Sequence, residues 1–328
     1  MKHVNAALFV PFLGCPHRCS FCDQKAITGQ ETTVTPQDVA ETARIAIQSG
    51  ADTKHGQIAF FGGSFTMLRR ETMTALLEAA LPFVESGDFA GIRVSTRPDA
   101  IDDGVLSLLK RYRVTAIELG CQSTDDTVLL RNGRGHTRSD IENACRLVKQ
   151  HGFELGVQMM TGLAGDSEEG ALRTARDLVS FGADTARIYP TLVLRGTRLA
   201  AWYEAGEYLP QTLDEAVSIC ARLVLLFEAN GVPVIRLGLH TGESLTRNLL
   251  AGPYHPAFRE LVDGAIYLDK MQKLLLDRPK GGYTFTVGTR FLSRAAGQNG
   301  RNRALLQDNG YTIRLQGDEA LRLYEIRG

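Results

Sequence analysis

Short apolar runs alternate with amphipathic stretches through the first 240 residues of the chain. The apolar runs predict buried strands at residues 8–13, 57–61, 92–96, 116–120, 154–160, 185–190 and 232–237. The amphipathic stretches predict helices at residues 35–50, from about 70, 102–111, 138–151, 167–181 and 213–230. Such strand–helix alternation is typical of parallel β/α units, and six or seven units predict an α/β fold that forms a partial or full (β/α) barrel.

The pattern changes after Leu239. A turn-rich connector, Ala251-Gly252-Pro253-Tyr254-His255-Pro256, precedes a helix predicted at 257–276. The remaining elements are predicted as a strand at 283–287, a helix at 289–296, the loop Gly297-Gln298-Asn299-Gly300, a helix at 301–308 and a strand at 311–315. This is the core layout of a KH module, whose Gly-x-x-Gly loop clamps a nucleic-acid backbone. The predicted domains are therefore a barrel over residues 1–240, and a helical connector with a small α+β KH-like βααβ module over 241–328.

Composition narrows the classes of function without selecting one. Of the 328 residues, 44% are hydrophobic and 23% charged, and the formal net charge is zero, so any nucleic-acid binding must come from a local basic patch. No apolar run is long enough for a membrane span, so we expect no membrane partner. Lys2 precedes an apolar stretch, but the single Lys and Pro11 argue against a signal peptide. Cys121, Cys145 and Cys220 occur singly, which favours a cytoplasmic location.

Cys15, Cys19 and Cys22 lie at C-x₃-C-x₂-C spacing directly after the first predicted strand. Three thiolates on one short loop can hold three corners of a cubane iron–sulfur cluster and leave the fourth iron open to another ligand. The spacing alone leaves a zinc site open, with His17 or a distant residue as the fourth ligand. A disulfide framework fits less well in a chain of this size with six cysteines.

Polar residues follow the predicted strands, at the end of a β/α barrel where active sites lie. They are Gly62, Gly63 and Ser64 after the second strand, Ser95 to Asp99 at the end of the third, Gln122 and Ser123 after the fourth, Arg134 in the next loop, and Gln158 in the fifth strand. Two adjacent glycines let the backbone approach a ligand closely. Each residue alone could be an ordinary turn or cap, but together they predict one site beside the cysteine loop.

The cysteine motif, with an aromatic residue before its last cysteine, resembles that of the radical S-adenosylmethionine (radical SAM) enzymes. In that family the open iron binds the amino and carboxylate groups of SAM, and one electron cleaves SAM to a 5′-deoxyadenosyl radical that abstracts hydrogen from the substrate. Four further motifs are similar to the catalytic subunit of Elongator, a radical SAM enzyme that acts on the wobble uridine of tRNA. They are Phe60 to Phe65, Ser95 to Asp99, Glu118 to Ser123 and Ile188 to Thr191. The oxygen-independent coproporphyrinogen oxidases are similar more loosely.

The resemblance covers most of residues 5–240, and it implies the cofactors and their ligands. Cys15, Cys19 and Cys22 would ligate a [4Fe-4S] cluster, and SAM would be the second cofactor, with an electron donor such as flavodoxin or ferredoxin as partner. The residues implied in SAM binding are Gly62, Gly63, Ser95, Arg97, Gln122, Arg134 and Gln158, with Arg134 as the partner of the SAM carboxylate. Gln158 stands where the porphyrinogen enzymes carry an aspartate for the ribose.

Two features depart from the Elongator subunit. That subunit spaces its cysteines more widely, and it carries an acetyltransferase domain for which a chain ending at Gly328 has no room. The expectation is a short bacterial relative without acetyl-CoA-dependent carboxymethylation.

Cys121 and the Gly-x-x-Gly loop are two further sets of candidate functional residues. Cys121, at the end of the fourth predicted strand, is a candidate catalytic thiol, although a small buried packing residue is the commoner role of cysteine. The candidate RNA contacts are Gly297, Gln298, Asn299, Gly300, Arg301 and Arg303, and Arg290 and Arg294 flank the same loop with no acid nearby in sequence before Asp308. A small basic patch suits phosphate contact, whereas a simple packing connector is the alternative.

The predicted function is a radical SAM enzyme, a transferase that modifies RNA, either tRNA or rRNA. One alternative is radical chemistry on a small molecule such as a tetrapyrrole, with the C-terminal appendage as a lid. The other is a non-catalytic, zinc-stabilised RNA-binding protein.

Overall fold

The computed structural model describes residues 5–10, 15, 19–28 and 33–328. The strands are β1 Ala6–Val10, β2 Gln57–Gly62, β3 Gly91–Thr96, β4 Val114–Gln122, β5 Glu154–Thr161, β6 Thr185–Pro190, β7 Val193–Leu194, β8 Val234–Leu237, β9 Leu249–Ala251, β10 Gly281–Gly288, β11 Tyr311–Asp318 and β12 Ile326–Arg327. The helices are α1 Gln24–Thr28, α2 Pro36–Gln48, α3 Arg70–Glu85, α4 Asp103–Arg111, α5 Asp126–Arg131, α6 Arg138–Gln150, α7 Glu168–Ser180, α8 Arg198–Glu204, α9 Leu213–Ala229, α10 Glu243–Asn248, α11 Phe258–Leu275, α12 Leu292–Ala296 and α13 Arg301–Asp308.

The described residues divide into two units. The first lies within Met1–Gln211 and Leu226–Gly252, and the second comprises Thr212–Leu225 and Pro253–Gly328. This division differs from the expected boundary between residues 240 and 241, because 241–252 group with the first unit and 212–225 with the second.

The first unit is built on a sheet of seven parallel strands in the order β1-β2-β3-β4-β5-β6-β8. The predicted α/β fold class is confirmed in its partial form, a half-barrel. No pairing joins β1 to β8 in the part of the chain that the structure describes, so the sheet has two edges. The predicted strand at 8–13 is described only as far as Val10, and its remaining residues lie outside the described ranges.

Alternation of side chains along β3 explains how the half-barrel places polar groups inside. All six residues of this strand are buried, although Arg93 and Ser95 alternate with Ile92 and Val94. Successive side chains of a strand point to opposite faces of the sheet, so the apolar pair shares one face and the polar pair the other. Arg93 and Ser95 both reach Glu118 of β4, which identifies their face as the interior of the half-barrel.

The second unit contains the predicted strand–helix–loop–helix–strand order. Strands β10 and β11 pair in parallel, and β12, which was not predicted, adds an antiparallel edge to give the order β11-β10-β12. Phe285 and Val287 of β10 and Tyr267 of α11 form part of its buried core. The small C-terminal α+β module is thereby confirmed as part of the fold. No helix among the described residues is long and apolar enough to cross a membrane.

Candidate functional site

The three cysteines of the N-terminal motif line one cavity of about 80 Å³ at the C-terminal ends of the strands. Every residue predicted to bind SAM lines the same cavity. Besides Cys15, Cys19 and Cys22, the lining consists of Gln24, Gly62, Gly63, Ser95, Thr96, Arg97, Gly120, Gln122, Arg134 and Gln158. The fold therefore brings together residues that lie on six separate stretches of the sequence.

Burial controls the chemistry of the thiols. It raises the pKa of Cys15, and together with the neighbouring Cys19 and Cys15 it raises the pKa of Cys22 to about 12. These groups are thiols at neutral pH in the absence of a metal, and only a thiolate is a metal ligand. Loading of the site must therefore release protons.

Arg134 connects the cysteine loop to β4. Its Nη1 donates to the Cys19 Sγ at 3.0 Å, and its Nη2 donates to the carbonyl oxygen of Gly120. The Nη2 of Arg97 donates to the carbonyl oxygen of Arg134. The Arg97 guanidinium is in turn held by Asp99, whose carboxylate accepts two hydrogen bonds from it at 2.9 Å. The Arg134 Nε is buried and has no partner. A guanidinium fixed in this way has donor capacity left for an anionic ligand.

Gln122 adopts a strained backbone at the same point. It has φ of +70°, and the register between β4 and β5 shifts between Gly120 and Gln122. Its Oε1 is buried without a partner. A left-handed conformation is costly for a non-glycine residue, and buried polar atoms are rarely unpaired, so the two observations together identify a ligand-facing position. A side chain at Gly120 would approach the Gln122 Nε2 to 3.2 Å, which explains the glycine there.

The glycine pair after β2 completes the wall of the cavity. Gly62 has φ of +103°, and Gly63 donates its N–H to the Val10 carbonyl at 2.8 Å. Gln24 donates from Nε2 to the Gly62 carbonyl at 3.0 Å. Sequence reasoning did not find Gln24, because it lies on α1 rather than at a strand end.

The donor set fits the cofactors of a radical SAM enzyme. Three thiols share one wall with a glycine at positive φ, and two unpaired buried polar atoms, the Gln122 Oε1 and the Arg134 Nε, lie in the lining residues. The three thiols line this wall without forming a preformed metal-ligand group, and no other three His, Cys, Asp or Glu side chains in residues 5–10, 15, 19–28 and 33–328 form one. His17, the suggested fourth ligand of a zinc site, lies outside the described residues.

A larger cavity of about 440 Å³ adjoins the first. Six residues line both cavities, namely Cys22, Gln24, Gly62, Ser95, Gln122 and Gln158. Apolar side chains dominate the rest of its wall, and four of them are aromatic, namely Phe9, Phe21, Phe61 and Tyr189. An apolar cavity with a few convergent polar groups is the usual form of a small-ligand site, so this is the candidate substrate cavity.

A charged network forms the floor of the half-barrel around Glu118, which is 1% exposed. Its carboxylate accepts from Arg93 Nη1 at 3.1 Å and from Arg187 Nη2 at 2.7 Å. It also accepts from Gln158 Nε2 at 2.9 Å. Because the Gln158 amide nitrogen is engaged with Glu118, the amide oxygen is the atom left for a ligand.

Cys121 and His136 lie outside both cavity linings. Cys121 is fully buried, and burial together with the neighbouring thiol of Cys145 raises its pKa well above the usual range. Burial, Arg134 and Arg97 lower the pKa of His136 to about 3, so its ring is neutral. A catalytic role for Cys121 stays a prediction, and its surroundings favour the packing role.

The predicted RNA-binding loop forms a sharp turn between α12 and α13. Gly297 and Gly300 both have φ of +76°, and Asn299 between them has φ of +53°. The buried Asn302 donates from Nδ2 to the carbonyls of Gly264 and Ala295, at 2.8 and 3.0 Å, and so fixes the loop against α11. The loop conformation is therefore set by packing within the second unit.

The arginines around this loop are less free than the sequence indicated. Arg294 lies 3.0 Å from the buried carboxylate of Asp263, and Arg301 lies 3.5 Å from Asp214. Both acids are distant in sequence, so the lack of an acid close in sequence before Asp308 did not predict that these arginines would be paired. Arg301 and Arg303 remain exposed, and the 3.5 Å contact of Arg301 is a weak surface pair.

Comparison with known proteins is consistent with this geometry. A family model described as the radical SAM superfamily matches residues 9–178, which is 170 of the 328 residues. A second model, described as the radical SAM C-terminal domain, matches residues 183–267.

Two curated relatives are similar over part of the chain. The tRNA uridine(34) acetyltransferase of Dehalococcoides mccartyi is 28% identical over 232 residues, covering 60% of this chain and 50% of that protein. Elongator complex protein 3 of Schizosaccharomyces pombe is 32% identical over 155 residues, covering 46% of this chain and 28% of that protein. The chain thus matches half or less of the length of either relative.

Among solved structures, Elp3 of Methanocaldococcus infernus with an N-terminal deletion superposes with a TM-score of 0.64. The superposition covers 85% of this chain and 65% of that one, at 20% sequence identity. Similarity at this level of identity establishes a shared fold.

Proposed function

The chain belongs to the radical SAM superfamily, whose cofactors are a [4Fe-4S] cluster and SAM, and we propose that it uses them to modify RNA. The observation that carries this proposal is the convergence of all the predicted ligands on one cavity, beside a larger aromatic cavity. We take tRNA as the first RNA to test, because the first of the two relatives is named for a tRNA uridine. An external electron donor, such as flavodoxin or ferredoxin, is part of the proposal.

The cysteines would hold the cluster, and the remaining lining residues would hold SAM. Cys15, Cys19 and Cys22 are the proposed metal ligands. The proposed SAM ligands are Gly62, Gly63, Ser95, Arg97, Gln122, Arg134 and Gln158. With one electron from the external donor, these cofactors would supply the chemistry of the family, reductive cleavage of SAM to methionine and a 5′-deoxyadenosyl radical able to take a hydrogen atom from a substrate.

The side chains of this chain bind and orient in that scheme. Arg134 would donate to the SAM carboxylate from the guanidinium that Gly120 and Arg97 already hold in place. Gln122 would satisfy its unpaired Oε1 with a donor group of SAM, and Gln158 would accept a hydroxyl hydrogen at the amide oxygen that Glu118 leaves exposed. The apolar wall of the larger cavity would exclude water from the reacting atoms.

The second unit would hold the RNA backbone at its Gly-x-x-Gly loop. Gly297, Gln298, Asn299, Gly300, Arg301 and Arg303 are the proposed contacts. The positive φ values across this turn bring the N-terminus of α13 and two exposed arginines to one place, which suits a phosphate.

The enzymatic part of the proposal is tested by nucleoside mass spectrometry of RNA from cells that lack the gene. Loss of one modified nucleoside, restored by the wild type and by Cys220→Ala but not by Cys15→Ala, is the expected result. Cys220 is the matched control because it lies on α9, outside both cavity linings. An unchanged nucleoside profile, or restoration by Cys15→Ala, would contradict the proposal and would turn attention to small-molecule substrates.

The RNA-binding part is tested by salt-dependent binding of tRNA. Replacing Arg301 and Arg303 by glutamine should make the slope of log affinity against log salt shallower by about 1.4, as expected for two lost phosphate contacts to a single strand. The control is Arg173→Gln with Arg176→Gln, two arginines of α7 that are 54% and 56% exposed, similar to the 55% of Arg301. Equal slopes for the two double variants would show that the loop does not bind RNA.

A further inference from the structure

Two arginines lie side by side on the inner face of the half-barrel. Arg187 of β6 and Arg236 of β8 are register partners on neighbouring parallel strands. The Arg187 guanidinium lies over the ring of Phe61, 4.9 Å from its centroid, and its Nη2 is paired with Glu118. Arg236 donates from Nε to the Gly238 carbonyl at 2.9 Å, the one hydrogen bond that its side chain makes to the described residues. Two like charges at adjacent register positions repel each other.

The carboxylates nearby do not balance these guanidiniums. Among the described residues, Arg93, Arg187 and Arg236 share only two acids, and Arg93 engages both of them, Glu118 at 3.1 Å and Glu154 at 2.7 Å. Arg187 also pairs with the Glu118 carboxylate, at 2.7 Å. No Asp or Glu in the described part of the chain forms an ion pair with Arg236. One positive charge on the inner face is therefore left without a counter-charge.

The surroundings of Arg236 reflect this excess of positive charge. Burial and the neighbouring Arg187 lower its pKa, although Tyr189 acts in the opposite direction. Burial, Arg236 and Arg187 also lower the pKa of His240, so its ring is neutral at pH 7 and can accept or donate a hydrogen bond. The Nε of Arg187 is buried without a partner.

One side of this cluster faces the candidate substrate cavity, whereas Arg236 adjoins Arg187 on the neighbouring strand and is not among the lining residues. Arg187 and His240 line that cavity, and no Asp or Glu is found among its described lining residues. Phe61 and Tyr189 line it as well, which gives flat apolar surfaces beside the cationic groups. A ligand that fits both features carries a planar ring and an anionic group.

We propose that Arg187 and His240, with the uncompensated positive charge of Arg236 beside them, bind the phosphate of a nucleotide whose base lies against Phe61 and Tyr189. The inference rests on the proposed function and adds to it a subsite for one phosphate. Guanidiniums bind phosphate through charge-assisted, often bidentate hydrogen bonds. Aromatic side chains are the usual platform for an unstacked base. The phosphate is that of a free nucleotide or of RNA, since both present the same oxyanion.

Calorimetric titration of the anaerobically purified protein carrying its cluster tests this subsite. The probes are the four nucleoside 5′-monophosphates, the matching nucleosides, and the dinucleotides UpU and ApA. At least one monophosphate should bind about tenfold more tightly than its nucleoside, because it gains charge-assisted hydrogen bonds. Arg236→Gln should abolish this difference, and Arg146→Gln, at an exposed position on the outer helix α6, should preserve it.

A second measurement shows that the variant is folded. Without ligand, Arg236→Gln should melt at the same temperature as the wild type or higher, because it removes a repulsive charge beside Arg187. Addition of the best-binding monophosphate should raise the melting temperature of the wild type and of Arg146→Gln, but not that of Arg236→Gln.

The outcomes separate the source of the phosphate from the existence of the subsite. Dinucleotides that bind at least as tightly as monophosphates support a phosphodiester of RNA, whereas binding of monophosphates alone overturns that source and retains the oxyanion subsite. Equal binding of nucleosides and nucleotides, no binding of any phosphate probe, or unchanged affinity in Arg236→Gln overturns the inference. The cellular test with Cys15→Ala is independent of these results, so failure of the proposed function is recognised separately.

Discussion

Replacement of Glu118 by glutamine tests the buried network on which both cavities rest. The wild-type carboxylate is 1% exposed and accepts hydrogen bonds from Arg93, Arg187 and Gln158 at 2.7 to 3.1 Å. Glu118→Gln keeps the shape of the side chain but leaves two guanidiniums without this counter-charge. Removing one partner of a buried ion pair typically costs about 3–5 kcal/mol. We therefore expect the free energy of unfolding of the first unit to fall by about that amount.

Urea unfolding followed by fluorescence measures this loss, because the chain has one tryptophan, Trp202, and it lies in the first unit. Glu154→Gln is the control: this residue also pairs with Arg93 but is 35% exposed, so its loss should cost less than about 1 kcal/mol. Adding Arg187→Gln to Glu118→Gln should recover part of the loss, because one uncompensated charge is removed. Equal stability of Glu118→Gln and Glu154→Gln would refute the reasoning.

Three further predictions concern pH, the C-terminal loop and SAM. Burial raises the pKa of Asp166 to about 6, so its ionisation costs stability that accumulates between the unfolded-state pKa of about 4 and about pH 6 and is fully present above that pH. Asp166→Asn should therefore be more stable than the wild type by about 1–3 kcal/mol at pH 7.5, and thermal melts should show the gap shrinking as the pH falls from about 6 toward 4. Gly297→Ala should destabilise the second unit by about 1–2 kcal/mol in circular-dichroism melts, because the added Cβ would lie 2.8 Å from the Asn302 Oδ1. Gly300→Ala is the control: Gly300 has the same φ, but its Cβ would meet no atom within 4 Å, so this substitution should cost less. Gln122→Ala should weaken calorimetric SAM binding about tenfold, whereas Gln150→Ala should leave it unchanged.

Much of the first unit could be predicted because parallel strands buried on both faces leave a strong signal. The strand at 185–190 was located with the bounds that the structure shows, and the strand at 92–96 begins one residue earlier in the structure. The site followed from the same signal, since residues that follow successive parallel strands must meet at one end of the sheet. The short pair β7 and β9 was missed, because two- and three-residue strands carry no periodicity.

Partnerships between charges could not be predicted in the same way. Arg93, Glu118 and Arg187 each stand inside a strand that is otherwise apolar, and such misplaced charges were a usable signal for an internal network. The sequence does not say which of them pair, because pairing depends on register: Arg93 faces Ala116 in the ladder, and its guanidinium reaches Glu118 further along β4. Arg294 illustrates the same limit, since its partner Asp263 lies on a separate helix.

The two free edges of the half-barrel affect what can enter it. Phe9 on β1 and His240 just beyond β8 both line the larger cavity, so that space reaches both edge strands, and α1 and α10 contact each other beyond them. A closed barrel fills its interior with side chains and admits a ligand only from one end. In a half-barrel the wall at this place is made by side chains and short helices instead of paired strands, and these can move without breaking the sheet. Under the proposed function, such a wall would let one nucleotide enter while the rest of the RNA stays outside the half-barrel.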